Sequence, residues 1–194
     1  MNTKIFFTGL LFFLIIITVY VYSLPPVFHG SVIDPPKQMP GFVLQSKIGP
    51  VNLTDQGSQV KVIFFGFTHC MDICPATMAK LQIAMDKLGG NASRIQVIFI
   101  SVDYKRDTPE ISSSYAEKFR PDFIGLTGSQ QEIDQVTRDY GIYYKLDDPD
   151  AQGDYEVEHT ASMMVLDSQD RLVLTWSPDQ QPDEIAEDLK NLIR

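Results

Sequence analysis

The chain reads as an α/β protein: a central mixed sheet flanked by helices, an extra β-hairpin ahead of it, and one transmembrane helix before that. Three observations predict this. Apolar runs of strand length alternate with amphipathic stretches of helix length. Two short apolar stretches flank Gly49-Pro50 in front of that alternation, and residues 5–22 carry no charge at all. At 194 residues there is room for one globular domain and a tether. The 44% hydrophobic and 21% charged content suits a folded domain with a core. Formal net charge is −9, and every charged residue except Lys4 lies from Asp34 onward. A domain so acidic lacks the basic face that phosphate neutralisation requires, which argues against a nucleic-acid partner.

The elements follow in order. The eighteen uncharged residues 5–22, IFFTGLLFFLIIITVYVY, can just cross a hydrocarbon core of roughly 30 Å at about 1.5 Å per residue. Tyr20 and Tyr22 mark the far interface, and Lys4 keeps the near end inside, so the rest of the chain is exported. Residues 1–23 are therefore read as an anchor rather than a cleaved signal, there being no small-residue cleavage site after the apolar run. Residues 24–40 hold two Pro-Pro pairs and Pro40, an extended and semi-rigid linker in which His29 has no assigned role.

The domain occupies residues 41–194. Residues 42–53 read as the hairpin, and VKVIFFGF over 60–67 as a buried central strand. Residues 75–88 place Met78, Leu81, Met85 and Leu88 on one helical face, ending at Gly89-Gly90. A second buried strand spans 95–102, and Thr108-Pro109-Glu110 opens a helix with a cap, a first-turn proline and an acid. A short strand over 123–126, a helix over 129–140, a hairpin of 161–166 with 172–176, and a helix over 182–193 complete the domain. That order is thioredoxin-like.

The chemistry concentrates in GFTHCMDICPATM, where a buried strand meets a helix. Cys70 and Cys74 are the only cysteines. A bridge between them closes so short a loop that it constrains the unfolded chain little, so stability is a poor reason for the pair. Pro75 suits the first helical turn, which puts Cys74 near the N-cap and Cys70 in the loop before it. Such a position lowers thiol pKa values, making both sulfurs nucleophiles or metal ligands. The C-x-x-x-C spacing allows a disulfide and leans toward a shared metal, since helical residues four apart have Cβ atoms about 5–6 Å apart, wider than a disulfide prefers.

A third donor is available in His159, just before a core strand. In a thioredoxin-like chain the loop entering that strand lies beside the dithiol and normally carries a cis-proline; here it reads His-Thr. Two thiolates and an imidazole form a soft set that favours Cu(I), with zinc as the competitor. His69, Asp72 and Asp103 are read as supports beside the ligands rather than ligands: His69 points away from its neighbour Cys70, Asp72 lies between the cysteines, and Asp103 follows a central strand at its carboxyl end. The methionines at 78, 85, 163 and 164 are read as packing.

FTHCMDICP, ISVDYKRDTPE, FIGLTGS and VEHTASMMVLD resemble, in order, the successive motifs of the Sco/SenC family, and the resemblance covers residues from about 37 to 193. It implies a thioredoxin fold, a membrane anchor, and copper held by Cys70, Cys74 and His159. It further implies work on the binuclear copper site of cytochrome c oxidase subunit II, fed by an upstream periplasmic copper donor. Asp72 and Asp103 match acidic positions recurring in the family's motifs, whereas Met71 and Tyr104 stand where many members have proline, and Glu158 where many have aspartate. The implied location is a bacterial inner membrane, single-pass, with the C-terminal domain in the periplasm. A second function stays open: a thiol–disulfide reductase using Cys70 and Cys74 as a catalytic dithiol on the oxidase or other exported proteins. An inert bridge is a third, bland alternative.

Overall fold

In a computed structural model the described residues are 26–194, apart from 56, 58, 152 and 153, together with Phe12, Phe13 and Ile16. The anchor expected over residues 1–23 lies almost wholly outside them. Among the described residues no helix is long and apolar enough to cross a membrane.

The sheet is built outward from β4 (Val60–Gly66), every residue of which is buried. A fully buried strand must be covered on both faces, which is why its sequence is a near-continuous apolar run rather than an alternation. β5 (Ile95–Ser101) pairs with it in parallel, Val62 beside Val97 and Phe64 beside Phe99. β6 (Ile124–Leu126) continues in parallel beyond β5. On the other side β9 (Met163–Leu166) runs antiparallel to β4, and β10 (Arg171–Trp176) antiparallel to β9. With β1 (Ser31–Gln38) at the edge beside β10, the order is β1-β10-β9-β4-β5-β6, a mixed sheet with the thioredoxin-like arrangement expected from the alternation.

The helices are α1 (Ile73–Leu88), α2 (Pro109–Glu117), α3 (Gln130–Tyr140) and α4 (Pro182–Leu192). α1 buries Met78, Leu81, Met85 and Leu88, the stripe its spacing predicts. Thr108 caps α2 by accepting from the Ile111 amide, and Ser129 with Glu132 forms a capping box on α3. Gly141 ends α3 in the left-handed conformation, where a side chain would be strained. Met163 and Met164 are buried in the sheet, in keeping with packing.

The hairpin ahead of β4 is present as β2 (Val43–Ser46) and β3 (Gly49–Asn52), but it turns at Lys47-Ile48, so Gly49-Pro50 belongs to a strand. The proline-rich segment also differs from expectation. It is extended, yet Ser31–Gln38 is strand β1, lying on the sheet against β10 instead of standing free of the domain. Pro35 and Pro36 fall in the register shift between Val32 and Lys37, where no ladder donor is required of them. His29 is engaged as well, its Nε2 lying 3.0 Å from Glu187. A further small sheet, β7 (Tyr144–Leu146) with β8 (Val157–His159), has no counterpart in the sequence reading.

Candidate metal centre

β4 ends at Gly66, and the chain crosses a short loop before α1 begins at Ile73. α1 starts two residues earlier than the proline at 75 implies, so Cys74 sits inside the first turn and Asp72 takes the N-cap position. Asp72 is exposed and makes no side-chain cap bond; its carbonyl accepts from the Ala76 amide. Cys70 remains in the loop, partly exposed, and its Sγ accepts from the Cys74 amide at 3.4 Å. That amide is one of the free donors every helix N-terminus presents.

His159 is the last residue of β8 and reaches the dithiol from the far side of the chain. Its Nε2 lies 3.5 Å from Cys74 Sγ. Its Nδ1 is 3.0 Å from the Thr160 carbonyl, which fixes the proton there and leaves the Nε2 lone pair facing the sulfur. The ring stands edge-on to Phe67 and Phe64, with centroids 5.6 Å and 6.3 Å away. Burial lowers the His159 pKa from its ordinary 6.5, only partly opposed by the hydrogen bond to Thr160, so the ring is neutral at neutral pH. Residue 74 is thus flanked by Cys70 at its amide and His159 at its sulfur.

One expectation fails here. The helix end predicts a stabilised thiolate at Cys74, but the side chain is 0% exposed and burial pushes its thiol well above the usual range. The hydrogen bond from the Phe67 backbone opposes this, and the neighbouring Cys70 adds to it. Desolvation outweighs the helix end because the sulfur sits beneath the first turn instead of at its tip. In the metal-free protein Cys74 is therefore a thiol, and the contact with His159 is an S–H donating to Nε2. A bound cation inverts this balance, since a coordinating thiol is deprotonated outright.

His69, Asp103 and Asp107 offer ligand-type atoms within 4.8 Å of one another. The carboxylates are already occupied as acceptors. Asp103 accepts from Tyr155 OH at 2.5 Å and Arg106 Nε at 2.5 Å, and more weakly from the Arg106 amide. Asp107 accepts from Thr68 Oγ1 at 2.6 Å, from the Thr68 amide at 2.8 Å and from Ser101 Oγ. His69 turns its Nδ1 toward Thr68 and Asp107, 3.6 Å from the latter, and not toward the cysteines. Asp107, Arg106 and Tyr155 were missed in the sequence; the signal was a second acid four residues after Asp103 and an aromatic four before His159.

An open cleft of about 1100 Å³ runs between the dithiol loop and the β7–β8 segment and is bounded by Cys70, Met71, Arg106, Tyr155 and His159. Its outer wall is acidic, with Asp147, Asp148, Asp154, Glu156 and Glu158. Met71 stands 93% exposed at the mouth.

A thioredoxin-like domain with two free cysteines at a helix end and an imidazole delivered to them by a hairpin belongs to the class of thiol-bearing, soft-metal-competent domains. The family profile described as SCO1/SenC matches residues 33–194, and the chain belongs to that family. It is 32% identical to the mitochondrial SCO1 homolog of Homo sapiens over 75% of this chain and 52% of that protein. It is 33% identical to an SCO2-like protein of Rickettsia prowazekii over 74% and 75% of the two chains. The chain spans about half the length, or less, of the human and Arabidopsis thaliana SCO1 homologs it matches. Among solved structures it resembles apo Sco1 from Thermus thermophilus, at 39% identity and a TM-score of 0.79, covering 85% of this chain and 96% of that one. It also resembles copper-bound ScoI from Bradyrhizobium japonicum, at 35% identity and a TM-score of 0.73, covering 80% and 99%.

Proposed function

We propose that this chain binds copper through Cys70, Cys74 and His159 and delivers it to, or prepares, the binuclear copper site of cytochrome c oxidase subunit II. The observation that carries the reading is the Nε2 lone pair of His159 facing Cys74 Sγ at 3.5 Å, while Cys70 Sγ rests on the Cys74 amide. Two sulfurs and one imidazole match the preference of Cu(I) for few, soft donors, and the set lacks the fourth ligand of a closed structural zinc site. Copper-bound relatives at 35% and 33% identity support the same choice.

His159, Cys70 and Cys74 would hold the ion, and the ion supplies the soft acceptor that a partner's thiolates can take over by ligand exchange. The residues themselves do the rest. Thr160 keeps the proton on Nδ1, Phe64 and Phe67 confine the ring, and Cys70, the more accessible sulfur, faces the cleft through which a partner enters. The acidic wall suits a cationic cargo and an upstream periplasmic donor with a basic face. Anchoring by residues 1–23 in a bacterial inner membrane, with the domain in the periplasm, completes the proposal.

A second reading, thiol–disulfide reduction, is favoured by the unequal burial of the two free cysteines. Cys70 as thiolate would attack a substrate disulfide, forming a mixed disulfide and releasing one substrate thiolate. Cys74 would then attack the Cys70 sulfur, its thiol proton passing to the departing substrate sulfur, and leave the Cys70–Cys74 bridge, so two electrons pass to the substrate.

The test is copper stoichiometry and affinity of the full chain in detergent micelles, parent against His159→Ala. The parent should take one equivalent of Cu(I), and the variant should bind it at least 10- to 100-fold more weakly, since deleting a ligand costs no less than deleting a residue that orients one. Reductase activity should survive His159→Ala. Parent-like copper binding by the variant would remove His159 from the site.

A further inference from the structure

We propose that the turn Asp103–Asp107 fixes the two arms of the metal centre relative to each other, with Tyr155 and Arg106 acting as positioning residues for His159. The inference rests on the copper reading above and deepens it. The need for such a device follows from the topology. His159 belongs to a two-stranded sheet of three residues a side that shares no strand with the six-stranded sheet carrying the dithiol loop. A hairpin that small is marginal by itself, and its own hydrogen bonds cannot say where it lies over Cys74.

Side chains supply the tie. The Tyr155 hydroxyl donates to Asp103 at 2.5 Å, Arg106 Nη1 donates to the Tyr155 carbonyl at 3.2 Å, and the guanidinium lies 3.8 Å above the Tyr155 ring. Arg106 is in turn held by Asp103 through Nε. Tyr155 is therefore gripped on hydroxyl, ring face and backbone. Only Glu156, Val157 and Glu158 separate it from His159, whose register is set against Tyr144 and whose successor Thr160 donates its amide to the Tyr143 carbonyl. Fixing Tyr155 two residues ahead of so short a strand therefore restrains the imidazole at the strand's end.

The same turn holds the opposite arm. Asp107 takes both the amide and the hydroxyl of Thr68, two residues before Cys70, and is braced by Ser101 at the end of β5. The Arg106 and Asp107 amides both return to the Asp103 carbonyl, so the two carboxylates are parts of one turn. The distance between Cys74 and His159 is thereby referred to a single rigid corner at the carboxyl end of β5.

The experiment uses the full chain in detergent micelles, with Tyr155→Phe and Arg106→Lys made singly and each combined with His159→Ala. Cu(I) affinity is read by chelator competition, imidazole ligation by nitrogen coupling in the paramagnetic resonance of the Cu(II) form, and folding by circular dichroism. Each single variant should lose about tenfold in Cu(I) affinity, the low end of what is lost with residues bonded directly to metal ligands, because these two act one step further out, with nitrogen coupling weakened or heterogeneous. In the His159→Ala background neither should cost anything further, because the effect runs through the imidazole. Parent-like affinity and coupling in both single variants would overturn the proposal, as would an undiminished loss in the His159→Ala background. If Arg106→Lys fails to fold, Tyr155→Phe, which deletes one oxygen, decides alone. Parent-like copper binding by His159→Ala itself would overturn the three-donor reading instead, and is recognised separately because it needs neither positioning variant.

Discussion

At the scale of single residues, the metal centre depends on an atom that is missing. A Cβ at Gly66 would lie 3.0 Å from Cys74 Sγ, 2.9 Å from the Phe99 ring and 3.3 Å from the Phe64 ring. The glycine at the end of β4 makes room for the buried sulfur. Gly66→Ala should cost about 1–3 kcal/mol, as overpacking a filled core does, and displace Cys74 Sγ from His159. Urea unfolding and copper affinity of that variant should both fall; an unchanged midpoint would show that the sulfur has slack. The donors themselves were legible in the sequence because soft residues are so few, two cysteines and three histidines in all. The depth of Cys74 was not, since a proline and an apolar period mark the neighbourhood of a helix start but not its first residue, nor how far its first turn sinks into the layer below. Gly66 was the overlooked sign.

At the scale of elements, the central strands and the four helices could be read because their apolar patterns are long. β7 and β8 escaped because three-residue strands separated by an acidic stretch carry no usable period. β1 escaped because Pro35 and Pro36 read as a spacer, although an edge strand tolerates them. A charged residue inside β4 shows a different kind of constraint. Lys61 is 1% exposed, and its Nζ meets Asp170 Oδ1 at 2.6 Å in the turn between β9 and β10. Asp170 has φ near 60°, a left-handed conformation in which glycine would be relaxed. If backbone strain dominated, Asp170→Gly would stabilise the protein. The pair should win instead, because removing the acid strands a buried ammonium, a loss of about 3–5 kcal/mol. In a Lys61→Met background the same change should cost little or become favourable. Denaturant unfolding of the four proteins measures this cycle, and equal losses in both backgrounds would refute the assignment.

At the scale of the molecule, the segment that enters the domain from the proposed anchor is fastened to its last helix. Asp188 of α4, wholly buried, accepts from Trp176 Nε1 at 2.8 Å and from the His29 and Gly30 amides at 2.8 and 3.0 Å. One carboxylate thus joins the entering segment, β10 and α4. The His29 ring adds a pH-dependent part at the same seam. Its hydrogen bond to Glu187 raises its pKa above 6.5, against a smaller lowering from burial. A folded-state pKa above the unfolded one means that the folded protein binds the proton more tightly. The pair's contribution is then complete below the unfolded value and disappears as pH rises through the folded one. The stability difference between the parent and His29→Gln should accordingly shrink as pH is raised from about 6 to 8.5, and stay modest because the pair is exposed. Thermal unfolding followed by Trp176, the single tryptophan, reads it directly, since that indole shares Asp188 with the His29 amide. A difference that grows with pH would mean that Glu187 does not hold the His29 proton, leaving Asp188 and the Asn191 side chain, which donates to the Val27 carbonyl at 3.1 Å, to tie the entering segment to the last helix.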